Sequence, residues 1–381
     1  MSAWRQSPIV LTVLCASGAI GGCNHSWPFD AGNPAPLGPR GQEVPRRLTF
    51  NPGDDRDPNV RGDVITYSRL DPEERGRERC LATIPLDGGT ISAEACPGPP
   101  ATPADTFVDT WIRPSLSPDG RHVAYMWQQG SLLGVLGFWS TSVAVASATQ
   151  PMGRTLVWPI IWTAPNGRLA DAVSALSWVD DHTLHFLIGY EFIFKVKGGG
   201  QTRYTDTTFE SFALAQLDAG TGAFSIVPGG LDVLAYAPAS DGGLWLVKLG
   251  APATLLHQAP GVDTTTVVGV FADSVTVLAN VGDLPLAITA ASDSTVEWLV
   301  PGDAVPHALV VGSGIGPVTD IAPIPGTRRF IAVVERGRDL FGDPANLWLY
   351  ELPKEGGRGR LKTAEGLACS RAERVFAEPA L

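Results

Sequence analysis

The side chains equipped for chemistry are few and scattered. Cys23 ends an apolar run from Pro8 to Gly22 that follows a single positive charge at Arg5. Small residues, Gly21 and Gly22, precede its thiol, so the chain there can enter a peptidase in extended form and present the sulfur as a nucleophile. Cys80 and Cys96 flank a hairpin-like stretch, Leu81 to Ile91, with Asp87-Gly88-Gly89 as its turn. Two residues equally far from a turn can face each other across an antiparallel pair, so this spacing predicts a disulfide in an oxidising compartment. Asp55, Asp57, Asn59 and Asp63 put oxygen ligands at alternate positions, which suits Ca2+. The EF-hand comparison fails, because Val60 stands where Gly is required and Thr66 where a bidentate Glu belongs. The preferred reading of 55–63 is therefore a solvated loop, and no metal is expected.

Asp180, Asp181, His182 and His185 are metal-ligand types, yet they coincide with a turn, and positions 182 and 185 of a strand point to opposite faces. Gly312-Ser313-Gly314-Ile315-Gly316 lacks the glycine order of a nucleotide-binding turn. The Gly-x-Ser-x-Gly elbow of a serine hydrolase does not occur. No catalytic residue is assigned from the sequence, and no cofactor is expected.

The element that positions Cys23 is the N-terminal segment. Its run of about fifteen apolar or small residues is shorter than the ~20 needed to span a bilayer, and behind one charge it reads as a secretory signal over residues 1–22. Ala19-Ile20-Gly21-Gly22-Cys23 resembles the lipobox of bacterial lipoproteins. That resemblance implies a diacylglyceryl group on Cys23, cleavage before it, and attachment to the membrane through more than one acyl chain. Cys15 would be discarded with the signal, and Asn24 in place of Asp favours the outer over the inner membrane in a Gram-negative cell. Residues 23–45 hold Pro28, Pro34, Pro36, Pro39 and Pro45 with almost no aliphatics, which predicts a flexible, semi-extended tether.

The remaining residues, 46–381, are read as one β domain. The 381-residue chain is 44% hydrophobic, enough for a sizeable core, and its 43 glycines and 32 prolines favour short strands joined by turns. With 28 basic against 39 acidic residues the net charge is −11, which argues against nucleic acid as a partner. The clearest unit runs from Pro114 to Met126: a strand, the turn Ser117-Pro118-Asp119-Gly120, then a strand with alternating apolar positions. Proline presets φ, aspartate caps turn amides and glycine supplies positive φ. This unit resembles the repeat of TolB-type β-propellers. Weaker copies occur over 175–187, 234–247 and 319–334, with Asn346 to Leu352 as the third strand of the last.

Two further units are expected. One combines Gly62 to Ser68, Leu81 to Leu86 and Thr90 to Ala93; the other combines stretches of 264–271, 274–279, 286–290 and 295–300. The count is six blades, or seven if 250–262 hides a strand pair, with an insertion over Gly189 to Thr208. Strand tryptophans such as Trp127, Trp178, Trp245, Trp298 and Trp348 are expected to pack between blades. The resemblance implies a monomeric, non-enzymatic binding or scaffold module for a cell-envelope protein or a small ligand. The alternative is a propeller enzyme of the lyase or glycoside hydrolase class, with carboxylates ~5–10 Å apart in its channel.

Overall fold

The computed structural model describes residues 45–50, 53–70, 78–98, 107–131, 138–159, 162–163, 172–197, 203–248, 252–271, 273–290, 294–303, 305–311, 316–335 and 345–353. Cys23, the expected signal, most of the expected tether and Cys369 lie outside them. Twenty-four strands form six four-stranded antiparallel sheets, the arrangement of a six-bladed β-propeller. The first blade is β2 (Asp54–Arg61), β3 (Val64–Leu70), β4 (Arg79–Pro85) and β5 (Ala93–Ala95). The second is β6 (Phe107–Leu116), β7 (His122–Ser131), β8 (Phe138–Ser147) and β9 (Gln150–Pro159). The third is β10 (Ala172–Trp178), β11 (Thr183–Lys197), β12 (Arg203–Asp218) and β13 (Phe224–Leu231). The fourth is β14 (Val233–Pro238), β15 (Leu244–Lys248), β16 (Ala253–Gln258) and β17 (Thr265–Phe271). The fifth is β18 (Val275–Val281), β19 (Leu284–Thr289), β20 (Thr295–Trp298) and β21 (His307–Val310). The sixth joins β22 (Val318–Pro323), β23 (Arg329–Glu335) and β24 (Ala345–Glu351) to β1 (Arg46–Arg47), taken from the other end of the chain.

Each blade is apolar on both faces, and the period of two along a strand divides its side chains between two neighbours. On β7, Val123 and Tyr125 pack towards the first blade, while Ala124 and Met126 pack towards the third. The result is six separate apolar clusters, one at each seam between blades. Trp127, Trp178, Trp245, Trp298 and Trp348 all lie in or against these clusters. The repeat turn forms as its chemistry dictates: Asp119 Oδ1 accepts from the Arg121 amide (2.9 Å), Ser117 Oγ from the His122 amide (2.9 Å), and Gly120 takes φ +70°.

Three sequence expectations are corrected. Residues 54–61 are a strand rather than a loop, because a bulge interrupts their alternation and Pro58 disguises it. The described residues of 250–262 contain the single strand β16 rather than a pair, so the ring has six blades and not seven. The strand at 265–271 closes the fourth blade instead of opening the fifth, whose outer strand is β21. The insertion over 189–208 lengthens a hairpin: β11 and β12 stay paired out to Lys197↔Arg203.

The ring closes at β1. Arg46 and Arg47 pair with Leu349 and Trp348, the Leu48 amide donates to the Leu347 carbonyl (2.8 Å), and the Leu347 amide donates to Thr49 Oγ1 (3.1 Å). Gly88, at φ +80°, lets the β4–β5 turn approach this segment; a Cβ there would stand 2.9 Å from the Leu48 carbonyl oxygen. Asp54 ties the first blade to the sixth. It accepts from Arg56 Nε (2.7 Å), from Arg79 and, through Oδ1, from the Ala345 amide (3.0 Å). Burial opposes its ionisation, but the two guanidiniums prevail and hold the carboxyl below the usual aspartate range.

Cys80 on β4 and Cys96 beyond β5 form a disulfide, with Cα atoms 4.3 Å apart, continuing the register Leu81↔Ala95. Closing a loop of this size is worth about 3 kcal/mol, so reduction should lower the urea midpoint by that equivalent without changing the native far-ultraviolet spectrum. Asp54→Asn should lose roughly 2 kcal/mol at neutral pH, since a charged acceptor serves three donors. The wild-type advantage is present above the ordinary aspartate range and fades as acid protonates Asp54. Denaturation of the two proteins should therefore converge at low pH.

Candidate functional site

The six inner strands surround a cavity of about 1510 Å3 that runs down the propeller axis towards the first-to-second-strand turns. A recurring feature shapes its wall. In every blade the inner strand carries one residue more than the second strand across a register break. Such bulges leave a residue unpaired and re-aim its side chain. In the first three blades the bulge includes a non-glycine residue with left-handed φ: Asp57 (52°), Arg113 (50°) and Ala175 (50°). Asp57 and Arg113 each precede a proline, which brings no amide to leave unpaired in the bulge.

The backbone freed by the bulges is satisfied across the seams. The Arg113 amide donates to Asp57 Oδ2 (3.3 Å), and the Leu116 amide to Asn59 Oδ1 (3.0 Å). Trp178 Nε1 donates to the Ser115 carbonyl (2.8 Å). Tyr236 Oη bonds to the carbonyls of Ala175 and His185 (2.7 Å) and lies 2.8 Å from Ser177 Oγ.

The charged centre of the cavity comes from three successive blades. Arg113 Nη1 on β6 lies 3.7 Å from Asp57 Oδ1 on β2 and 3.6 Å from Asp320 Oδ2 on β22. The two carboxylate oxygens are therefore no farther apart than the sum of those distances. Ser68 Oγ also donates to Asp57 (2.7 Å), and the Ile321 amide to Asp320 Oδ1 (2.9 Å). Burial raises the Asp320 carboxyl to about 6; Arg113 opposes the shift and the neighbouring Asp57 charge adds to it. One guanidinium shared by two acids leaves a cluster of mixed donors and acceptors facing a partly apolar space. It can bind a cationic or amide group, or pair a proton donor with an acceptor. Arg61, Asp283 and Arg328 line the cavity nearer the turns.

The sequence candidates map elsewhere in part. Of the oxygen-rich set, Asp55 is fully buried, Asp57 faces the channel, Asn59 holds the Leu116 amide and Asp63 sits in the β2–β3 turn. They lie along a strand and its turn and do not converge on one point. Asp180 caps its turn by accepting from the His182 and Thr183 amides (2.7 Å each), while Asp181 Oδ1 accepts from the Asp119 amide of the preceding blade (2.9 Å). His182 is exposed, whereas His185 is buried in the third blade with its ring against Tyr236. Glu94 gathers with Cys80 and Cys96, but those sulfurs are bonded to each other and Arg69 holds the carboxylate (2.7 Å).

Arg113 and Asp320 went unread because neither belongs to a local motif. The phase of the repeats could have exposed one of them. Asp57-Pro58-Asn59, Arg113-Pro114-Ser115 and Ala175-Leu176-Ser177 occupy equivalent bulge positions.

No protein-family model matches the sequence, and no curated protein matches it. Among solved structures, a prolyl endopeptidase aligns over 78% of this chain and 47% of its own at 15% identity, with a TM-score of 0.45. TolB from Acinetobacter baumannii aligns over 67% of this chain and 53% of its own at 11% identity, with a TM-score of 0.40. The β-propeller domain of the trilobed protease from Pyrococcus furiosus aligns over 82% and 83% at 10% identity, with a TM-score of 0.39. The chain spans about half the length of the first two. At these identities the likeness concerns the fold alone.

Two buried groups give stability opposite dependences on pH. Burial holds His185 down at about 4, so below its unfolded value near 6.5 the unfolded chain takes the proton first. Stability should fall between pH 6.5 and 4 by roughly 3 kcal/mol at most, and His185→Gln should remove that slope. Asp320 is raised, so its contribution is full below the ordinary aspartate range and is lost as pH rises through about 6. Urea titrations of Asp320→Asn across pH 4–7 should lack this second slope.

Proposed function

We propose that this chain is an extracytoplasmic lipoprotein, held to a bacterial membrane by acyl groups on Cys23, whose propeller is a non-enzymatic binding module. The observation that carries the binding reading is the axial cavity with the Asp57–Arg113–Asp320 cluster in its wall. A ligand segment with a cationic nitrogen or an amide can bond to the two carboxylates and the guanidinium while its apolar part lies along the inner strands. The cluster carries one excess negative charge when both acids are ionised, which favours a cation. A peptide segment of a cell-envelope protein or a small ligand meets this description. The resemblance of the 114–126 unit to TolB-type propellers, which bind protein partners at the envelope, supports the first.

Export is supported by the Cys80–Cys96 disulfide, since such bonds persist in oxidising compartments. The lipobox-like residues 19–23 support the anchor, and Asn24 supports the outer membrane. The net charge of −11 disfavours nucleic acid.

One observation favours the second reading, a lyase or glycoside hydrolase. Two carboxylates converge on one arginine, and one of them keeps its proton up to about 6, so a general acid and a base could coexist there.

Two experiments test the proposal. Cys23→Ser should move the protein from the membrane pellet to the soluble envelope fraction; a variant that stays in the pellet refutes the anchor. Affinity capture from solubilised envelopes should recover a specific ligand with wild type and about tenfold less with an Asp320→Asn variant whose circular dichroism matches wild type. Equal recovery by both removes the channel from the binding site. Turnover of a glycan by wild type, lost in Asp320→Asn, would establish the enzyme reading instead.

A further inference from the structure

The outer strand of a propeller blade is a sheet edge, a row of backbone donors and acceptors that a foreign strand can complete. Five of the six edges here are guarded by short length, charge or proline. β1 has two residues, both arginine; β5 has three, with Glu94 at its centre; β21 has four. β9 contains Pro151, Arg154 and Pro159, and β13 contains Pro228-Gly229-Gly230. β17, Thr-Thr-Val-Val-Gly-Val-Phe, has none of these: it has seven residues, no charge and no proline, and a bulge at Val268 is its one irregularity. Among the described residues it pairs only with β16, so its outer side is open.

Val267 is 70% exposed and Val270 40%. Val262, Val305 and Val310, on or beside the outer strands of the fourth and fifth blades, are exposed as well. Half of the ten exposed large hydrophobics among the described residues thus belong to the outer strands of the fourth and fifth blades or the loops beside them. Gly269 lets the strand lie close to the next blade, since a Cβ there would stand 3.0 Å from Leu299.

Charge decides what can pair with this edge. Asp263 precedes the strand and Asp273 follows it; near Asp273, burial and that aspartate's charge hold the Glu297 carboxyl above its usual range. Both ends of the edge are therefore acidic around a neutral middle. A second copy fits badly, because antiparallel self-pairing centred on Val268 sets Asp263 of one copy opposite Asp273 of the other, in chains that each carry −11. We propose that the open edge of β17 takes an extended segment of another protein as a fifth strand of the fourth blade, uncharged and β-branched in its middle and basic at its ends. Main-chain hydrogen bonds supply the affinity, and the terminal aspartates supply orientation and selectivity.

The test uses purified full-length protein in detergent and three blocked, fluorescently labelled peptides: Lys-Thr-Val-Thr-Val-Thr-Lys, the same peptide with Glu at both ends, and the Lys peptide N-methylated at alternate residues. The Lys peptide should bind about tenfold or more tightly than the Glu peptide in fluorescence anisotropy, and the methylated peptide should not bind. Val267→Lys should lose about tenfold in affinity with unchanged circular dichroism, because a charge on an edge strand blocks pairing. Asp320→Asn should bind the peptide as wild type does, which separates this edge from the channel. No binding of the Lys peptide, equal binding of all three, or full binding by Val267→Lys overturns the proposal. So does a dimer in light scattering that Val267→Lys dissolves, since a second copy would then own the edge.

Discussion

A blade that is apolar on both faces has no stable existence alone, so the whole molecule depends on the ring being closed. Five seams form between sheets that follow one another in the chain. The sixth must join residues just over three hundred positions apart, and it does so with a strand of two residues. Backbone pairing that short is marginal, and side chains reinforce it. Arg47 bonds to Asn346 (2.7 Å), Thr49 receives the Leu347 amide, and Arg56 of the first blade reaches Glu335 of the sixth (2.6 Å). Beneath them lies an apolar cluster in which Leu48, Val60 and Ile65 meet Ile331, Val333 and Leu347. The polar latches give the register, and the cluster supplies most of the free energy.

With the ring closed, the inner strands have nowhere to go but around a common axis, and the bulges follow from that crowding. A bulge increases local twist and bends its strand. Six of them, one per blade, place a displaced residue at comparable points around the axis. Each leaves backbone groups without a ladder partner, and in the first half of the ring the neighbouring blade supplies the replacement: Asp57, Trp178 and Tyr236 each reach across a seam. Wall and interface are thus one construction. A substitution that changes how two blades meet also changes how the channel is lined.

Much of the fold could be read from residues alone, because its signals are local. Turn chemistry at Ser117-Pro118-Asp119-Gly120 and alternation on β7, β11, β15 and β23 announced a repeated blade. The disulfide was legible because its two cysteines sit symmetrically about one turn. The failures were of phase and of irregularity. The blade of β17 is illegible in the sequence because outer strands are half exposed and carry weak patterns. β2 reads as a loop because its bulge and proline break the period that identifies a strand. The Asp57–Arg113–Asp320 cluster was hardest to see, since its members lie 56 and more positions apart and meet only after closure. A site assembled from separate blades has no local sequence signature. Only the equivalence of bulge positions hinted that Asp57 and Arg113 belong together.

The order of attachment at the seam has a mechanical meaning. β1 is the outermost strand of the sixth blade, yet it lies N-terminal to everything in the first, so the chain crosses the seam immediately after entering the fold. A pull from the N-terminal side therefore reaches two residues of ladder and a few latches before it reaches any complete sheet. Under such tension β1 is the part that yields. Its release would strip the outer strand from the sixth blade and slacken one seam while five blades keep all four strands. The propeller is a ring with a clasp, and the clasp is β1.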